Sequence, residues 1–119
     1  MDAPNVVGAR DLGFPAGIAK DGSAELSAVR AEVEQGHVKA LYVLDPGPAG
    51  SIGDVAWIVE ARKAGRLGLL IVQGVLLTEL ARAADVVLPG ASWVEKDASY
   101  VNGAGLLQAA ARAIAPPGE

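Results

Sequence analysis

Thr78-Glu-Leu-Ala-Arg-Ala-Ala-Asp-Val-Val-Leu-Pro89 is the stretch from which the architecture follows. Thr78 is a good N-cap, because its hydroxyl can accept a hydrogen bond from an orphan backbone N–H of the first turn. Glu79 then puts a carboxylate where the helix dipole favours one. The spacing predicts a helix from about Thr78 to Ala84. Val86-Val-Leu88 is short, β-branched and apolar, as a buried strand should be, and Pro89 stops it by removing a ladder donor. Past it lies Glu95-Lys-Asp-Ala-Ser-Tyr-Val-Asn102, a polar run beyond the carboxyl end of the strand, where open α/β sheets hold their ligands.

Toward the N-terminus the same alternation repeats. Leu69 to Gln73 reads as another buried strand, and Gly74 permits an abrupt exit. Before it, Ser51 and Asp54 have capping-box spacing, Val55, Ile58 and Val59 form an inward helical face, and Gly65 ends the helix. Val38-Lys-Ala-Leu-Tyr-Val-Leu44 is almost continuously apolar, which predicts a central parallel strand covered on both faces, with Leu44 in the core. Leu26, Val29 and Val33 repeat at three and four residues, so a helix is expected from about 23 to 35. Asp21 or Ser23 would cap it and Gly36 would close it. The order β-α-β-α-β implies right-handed crossovers and a parallel sheet. The expected class is α/β, a three-layer Rossmann-like domain with a small, mainly parallel sheet whose strands lie near 38–44, 69–73 and 86–88.

Around that core, 23–88, two flanks differ in texture. Residues 1–22 carry Asn5, Gly8, Asp11, Gly13, Pro15 and Gly17, and read as an extended, turning segment rather than a helix. Residues 89–119 read as a loop-rich extension. Leu106 to Ile114 fits either a helix or an edge strand through Leu107. The ending, Pro116-Pro-Gly118, supplies no cap or final core element, so a boundary inside a longer polypeptide is expected.

Composition narrows the function. The 119 residues suffice for one ordinary core, and 51% apolar with 20% charged residues argues against disorder. Aromatic content of 4% leaves little for base stacking, and a net charge of −4 disfavours a nucleic-acid backbone. Zero cysteines removes disulfides, thiol chemistry and cluster ligation from these residues, and fits a cytoplasmic compartment. Met1-Asp-Ala-Pro has neither a basic start nor a following apolar run. The apolar stretch from Leu67 to Leu77 is too short to span a bilayer.

Few residues offer chemistry. His37, the one histidine, sits at the amino end of a strand, where a surface or capping role suits it better than a catalytic triad. No spacing of His, Asp or Glu resembles a metal site. Gly47-x-x-Gly50-x-x-Gly53 sits between strand and helix, yet it lacks the spacing of a dinucleotide fingerprint and the Lys-Ser/Thr of a P-loop. Its two prolines also withhold amide donors. Glu79 and Asp85 could pair for acid–base work, but capping and turn formation explain both. Glu95, Lys96, Asp97, Ser99, Tyr100 and Asn102 serve as solvated loop residues or as local hydrogen-bond partners that steady the loop against a neighbouring domain.

Several of these runs resemble the molybdopterin oxidoreductase superfamily. The match joins Thr78-Glu79, Ala84-Asp-Val-Val-Leu-Pro89, Glu95-Lys96 and Asn102 at the family's spacings. Asn5, Gly8-Ala9, Asp11-Leu-Gly13 and Pro15 resemble its opening segment. Val38–Leu44 looks like the strand before its Gly-x-Asn-Pro turn, and Leu70-Ile-Val-Gln73 like the strand before its Asp-x-Phe-x-Thr-Glu segment. The resemblance implies a Rossmann-like domain that walls the cleft of a guanine-dinucleotide form of molybdopterin. It marks Gly47, Pro48, Thr78, Glu79, Asn102 and Gln108 as the positions matching that cleft. The chain also departs from the pattern. Asp45-Pro-Gly-Pro48 has lost the turn's first glycine and its asparagine, Gly74 stands where a base-recognising aspartate is frequent, and Leu106 replaces an arginine.

Those departures favour a vestigial site and, within the superfamily, a likeness to the large iron-sulfur subunit of NADH-quinone oxidoreductase (respiratory complex I). The implied role is scaffolding: no catalytic or metal-binding residue and no cofactor here, with electron transfer carried by iron-sulfur clusters elsewhere in the parent subunit. The implied partners are the remaining domains of that subunit and the complex's soluble arm, at the inner face of the cell membrane without insertion. Nucleic acid is excluded. The alternatives are a fragment of a molybdopterin-dependent oxidoreductase such as a formate dehydrogenase, which would bind molybdopterin guanine dinucleotide, and a non-enzymatic α/β interaction domain.

Overall fold

The computed structural model describes residues 6–13, 23–44, 46–48 and 53–117. The chain divides into two compact units, Ile18–Gly90 and Met1–Gly17 together with Ala91–Glu119.

In the first unit, β1 (Ala40–Leu44), β2 (Leu69–Gly74) and β3 (Val86–Pro89) form a parallel sheet in the order β1-β2-β3. Register pairs Leu41 with Leu70 and Val43 with Val72, and then Ile71 with Val86 and Val72 with Val87. The α/β class and all three strands are those expected from the sequence. One placement is corrected: the run from Val38 lies at the edge of this sheet and β2 lies at its centre. Successive crossovers of one hand step the chain along the sheet in one direction, so the middle strand in sequence becomes the middle strand in space. Residue 44 is corrected with it, since Leu44 is 65% exposed. Val38 and Lys39 precede the strand, and the Lys39 carbonyl accepts from the N–H groups of Gly68 and Leu69 at 2.8 and 3.1 Å.

The core lies on one face of the sheet. It joins Leu70 and Val72 of β2 to Val33, to Trp57, Ile58, Val59 and Ala61, and to Leu67, Leu80 and Ala81. Full burial of a side chain such as Leu67, Leu70 or Val72 contributes about 1.5–3 kcal/mol relative to exposure. Helix α2 (Ser23–Glu34) sends Val33 into this core while Val29 stays partly exposed. Gly36, at φ +79°, then turns the chain, with its N–H on the Val33 carbonyl at 3.1 Å.

Helix α3 (Ala56–Lys63) begins later than the capping-box spacing suggested. Val55 is its N-cap residue without a side-chain cap, and Asp54 Oδ1 accepts from the Ala56 N–H at 2.9 Å. Asp is too short to reach back as Glu does in that motif. Ser51, the other proposed member, lies outside the described residues, as do Asp21, Asp45 and Gly50. Gly65 ends α3 at φ +72°. Helix α4 (Glu79–Arg82) is a single turn that stops short of the expected Ala84. Thr78 caps it through its hydroxyl, which accepts from the Ala81 N–H at 3.2 Å.

In the second unit, β4 (Ala98–Val101) and β5 (Leu107–Ala110) form an antiparallel hairpin. Strand β4 falls inside what read as a continuous polar loop, and Leu106–Ile114 resolves to the strand option rather than the helix. The cause is the turn Asn102-Gly-Ala-Gly105, which closes on a Gly105 at φ +80°. Asn102 Oδ1 accepts from the N–H groups of Ala104 and Leu106 at 2.9 and 3.0 Å, replacing the backbone acceptors a longer turn would need. The extended reading of residues 1–22 is corrected at Val6–Asp11, which form helix α1 packed on β4. Gly8 is buried there. Gly13, at φ +83°, follows the helix as a left-handed exit.

Candidate functional site

A cleft of about 550 Å³ opens at the carboxyl ends of β1 and β2. That is the position expected for a ligand in an open parallel sheet, and the size suits a small organic molecule. Three segments build it. The turn after β1 contributes Pro46, Gly47 and Pro48, the start and one face of α3 contribute Gly53 to Ala56, Val59, Glu60 and Lys63, and the β2–α4 turn contributes Thr78, Glu79 and Leu80.

Each segment is fixed for a local reason. Pro46 and Pro48 stiffen the exit of β1, with Gly47 between them at φ +66°. Thr78 spends a hydroxyl lone pair on the Ala81 N–H, which leaves its own proton free to donate into the cleft. Charges on the lining are Asp54, Glu60 and Glu79 against Lys63. Of the lining residues, Pro46 and Pro48 have no backbone N–H to donate.

Four of the residues singled out from sequence, Gly47, Pro48, Thr78 and Glu79, therefore line one cleft. The other two belong to the hairpin unit. Asn102 is occupied holding its own turn, and Gln108 stands opposite Tyr100 in the β4–β5 ladder. Sequence reasoning missed the contribution of α3. Its signal was present, since Ala56, Val59, Glu60 and Lys63 recur at helical spacing on one face beside the β1 exit.

The remaining candidates are structural. Asp85 accepts from Arg62 Nε and from the Leu70 N–H, each at 2.8 Å, and is also paired with Arg62 Nη2. Its own N–H donates to the Leu70 carbonyl at 2.9 Å. The Arg62 hydrogen bond first, and the Leu70 amide second, hold the Asp85 carboxyl below its ordinary range. An anion so stabilised is a poor proton carrier near neutral pH. His37 Nδ1 lies 3.1 Å from Glu32 Oε2 on the exposed surface. Glu95 accepts from the Ser92 N–H at 2.8 Å, which lowers its carboxyl below the usual value. Asp97 accepts from the Arg112 N–H at 2.7 Å, pinning the segment after β5. Among the described residues no group of three or more His, Cys, Asp or Glu is arranged to hold a metal ion. No described helix is long and apolar enough to cross a membrane.

Known proteins resemble this sequence. It is 46% identical over 82 residues, 69% of this chain, to the F420-dependent formate dehydrogenase 1 subunit alpha of Methanococcus maripaludis. It is 42% identical over 83 residues, 70% of this chain, to the F420-dependent formate dehydrogenase subunit alpha of Methanocaldococcus jannaschii. An NADH-quinone oxidoreductase subunit of Rhizobium meliloti is 36% identical over 92 residues, 77% of this chain. The matched stretches cover 12%, 12% and 11% of those proteins, so the chain corresponds to a small part of each. These relatives do not single out the complex I subunit that the altered turn suggested. The profile of molybdopterin oxidoreductases matches residues 7–119, nearly the whole chain, and the chain belongs to that family.

Proposed function

We propose that this chain is an α/β lobe of a molybdopterin-dependent oxidoreductase subunit of the formate dehydrogenase type, walling the nucleotide end of the cofactor cleft. The observation that carries the reading is the convergence of Gly47, Pro48, Thr78 and Glu79 on one cleft at the carboxyl edge of the sheet. Identities of 46% and 42% to formate dehydrogenase alpha subunits support the reaction type over the complex I scaffold. The rest of the parent subunit is the principal partner in this reading.

The lining fits one part of a guanine dinucleotide cofactor. Guanine presents N–H donors along one edge, and Glu60 and Glu79 supply acceptor oxygens, while the Thr78 hydroxyl can donate to a ring or ribose oxygen. Gly47 allows close approach of a flat ring. The lining disfavours the phosphates by charge, with three carboxylates against one lysine. Phosphates and pterin therefore fall to protein outside these residues. When bound, the cofactor supplies the oxidation–reduction chemistry, and this lobe orients its nucleotide end.

The test is cofactor analysis of the full-length gene product. Stoichiometric molybdenum or tungsten, with guanosine monophosphate released on acid hydrolysis, is the expected result, together with formate oxidation. A Glu60→Gln, Glu79→Gln double variant should lose bound nucleotide. Intact protein holding iron alone would overturn the reading. It would favour a second one, supported by the 92-residue match to the Rhizobium meliloti protein and by the altered Asp45–Pro48 turn. In that second reading the lobe is a scaffold in the soluble arm of an NADH-quinone oxidoreductase.

A further inference from the structure

Asn102 and Gly103 stand at the tip of the hairpin between β4 and β5, and the fold does not require that glycine. The turn takes its left-handed residue at Gly105, φ +80°, whereas Gly103 lies outside the positive-φ region. A Cβ added at Gly103 would meet nothing within 4 Å, so alanine would serve the turn as well. What glycine leaves in place is an uncrowded peptide nitrogen beside an asparagine amide. Asn102 Oδ1 accepts from the N–H groups of Ala104 and Leu106 at 2.9 and 3.0 Å. The first of these bonds folds the side chain back over the Gly103 peptide. The Gly103 nitrogen and Asn102 Cγ thus belong to one small ring closed by that bond. Both donors aim at the oxygen that turns negative when a nucleophile adds to Cγ, as in an oxyanion hole. Gly103 is exposed, and its N–H meets no acceptor among the described residues, so water or hydroxide can reach its proton.

We propose that Asn102 and Gly103 form a self-modifying site, where the folded protein converts its own side-chain amide to a carboxylate through a cyclic imide. The Gly103 nitrogen gives its proton to water and bonds to Asn102 Cγ. The bond from Cγ to Nδ2 then breaks, and Nδ2 takes up a proton and leaves as ammonia. Water opens the imide at either of its two carbonyls, so the reaction needs no oxidant and no second substrate. Opening at Cγ gives aspartate, whose oxygen still accepts from the Ala104 and Leu106 N–H groups, now with the added strength of a charged acceptor. Opening at the main-chain carbonyl gives isoaspartate, which routes the backbone through the former side chain and lengthens it by a methylene. The Asn102 carbonyl that accepts from the Gly105 N–H at 2.9 Å then becomes a free carboxylate. The turn loses its spacing, and with it the pairing of Val101 with Leu107 beside it. One product therefore preserves the hairpin and the other loosens it.

The test is incubation of the folded full-length gene product at neutral to mildly alkaline pH, followed by peptide mapping. Mass spectrometry with electron-transfer fragmentation separates asparagine, aspartate and isoaspartate at residue 102. Both acids should accumulate there, at a rate rising roughly tenfold per pH unit with the deprotonated fraction of the amide. Gly103→Ala should slow the conversion on the order of tenfold by crowding the attacking nitrogen. Hydrogen exchange at the Ala104 and Leu106 amides should show the same protection in that variant as in the parent, since the added Cβ has open space. The proposal is overturned if residue 102 stays asparagine in the folded protein while the urea-unfolded protein converts. An undiminished rate in Gly103→Ala overturns it too. So does loss of the hairpin in that variant, because the glycine would then be structural.

Discussion

Replacing Leu70 by alanine tests the core most directly. Leu70 is wholly buried on the central strand, against α3 and α4 residues of the same core. Losing about three methylene equivalents removes roughly 2.4 kcal/mol of transfer free energy. A cavity with packed walls adds on the order of 1–2 kcal/mol, for a total near 4 kcal/mol. Leu44→Ala removes the same atoms from a side chain 65% exposed. About a third of the transfer term applies there, roughly 0.8 kcal/mol, and solvent fills the space without a cavity. The two truncations should therefore differ by about 3 kcal/mol in urea unfolding of this chain, with unchanged m-values. Equal costs would refute the assignment of the two faces.

The other expectations concern single contacts. Asp85 has its folded-state carboxyl held below the ordinary range by Arg62 and the Leu70 amide, so its contribution is complete above the unfolded value of about 3.9 and is lost as pH falls through the lower folded value. Asp85→Asn should thus separate from the parent in urea midpoint at neutral pH and converge with it in strong acid; a gap independent of pH would reject the linkage. Thr78→Ala should cost about 1 kcal/mol through loss of the Ala81 cap, with Thr78→Ser largely rescuing the urea midpoint. Gly90→Ala would place a Cβ 3.0 Å from the Gly74 carbonyl carbon and 3.2 Å from its Cα, both immobile backbone atoms. A loss of about 1–3 kcal/mol is expected by chemical denaturation, and a neutral outcome would show that the β2 and β3 ends can part.

The alternation of elements was legible in the sequence, because local signals are enough for that. Gly36 and Gly65 at helix ends and Thr78 as a cap act within a few residues of themselves, and all three do so in the structure, whereas Pro89 does not precede the stop but is itself the last residue of β3, in register with Gly74. The clustering of Gly47, Pro48, Thr78 and Glu79 was legible for a related reason: residues just after parallel strands must meet at the same edge of the sheet. Strand order and exposure were not legible. Val38–Leu44 is apolar on both of its faces, so alternation could not reveal that Leu41 and Val43 pack inward while Tyr42 and Leu44 face out. Short elements were hidden as well. Helix α1 contains Gly8 and two β-branched valines, and its packing on β4 supplies what intrinsic propensity lacks. Strand β4 has its partner in β5, across the Asn102 turn. Asp85 reads locally as a turn residue. Only the fold carries Arg62 and the Leu70 amide to its carboxylate, because burial, pairing and charge compensation between distant segments exist only after the chain has closed on itself.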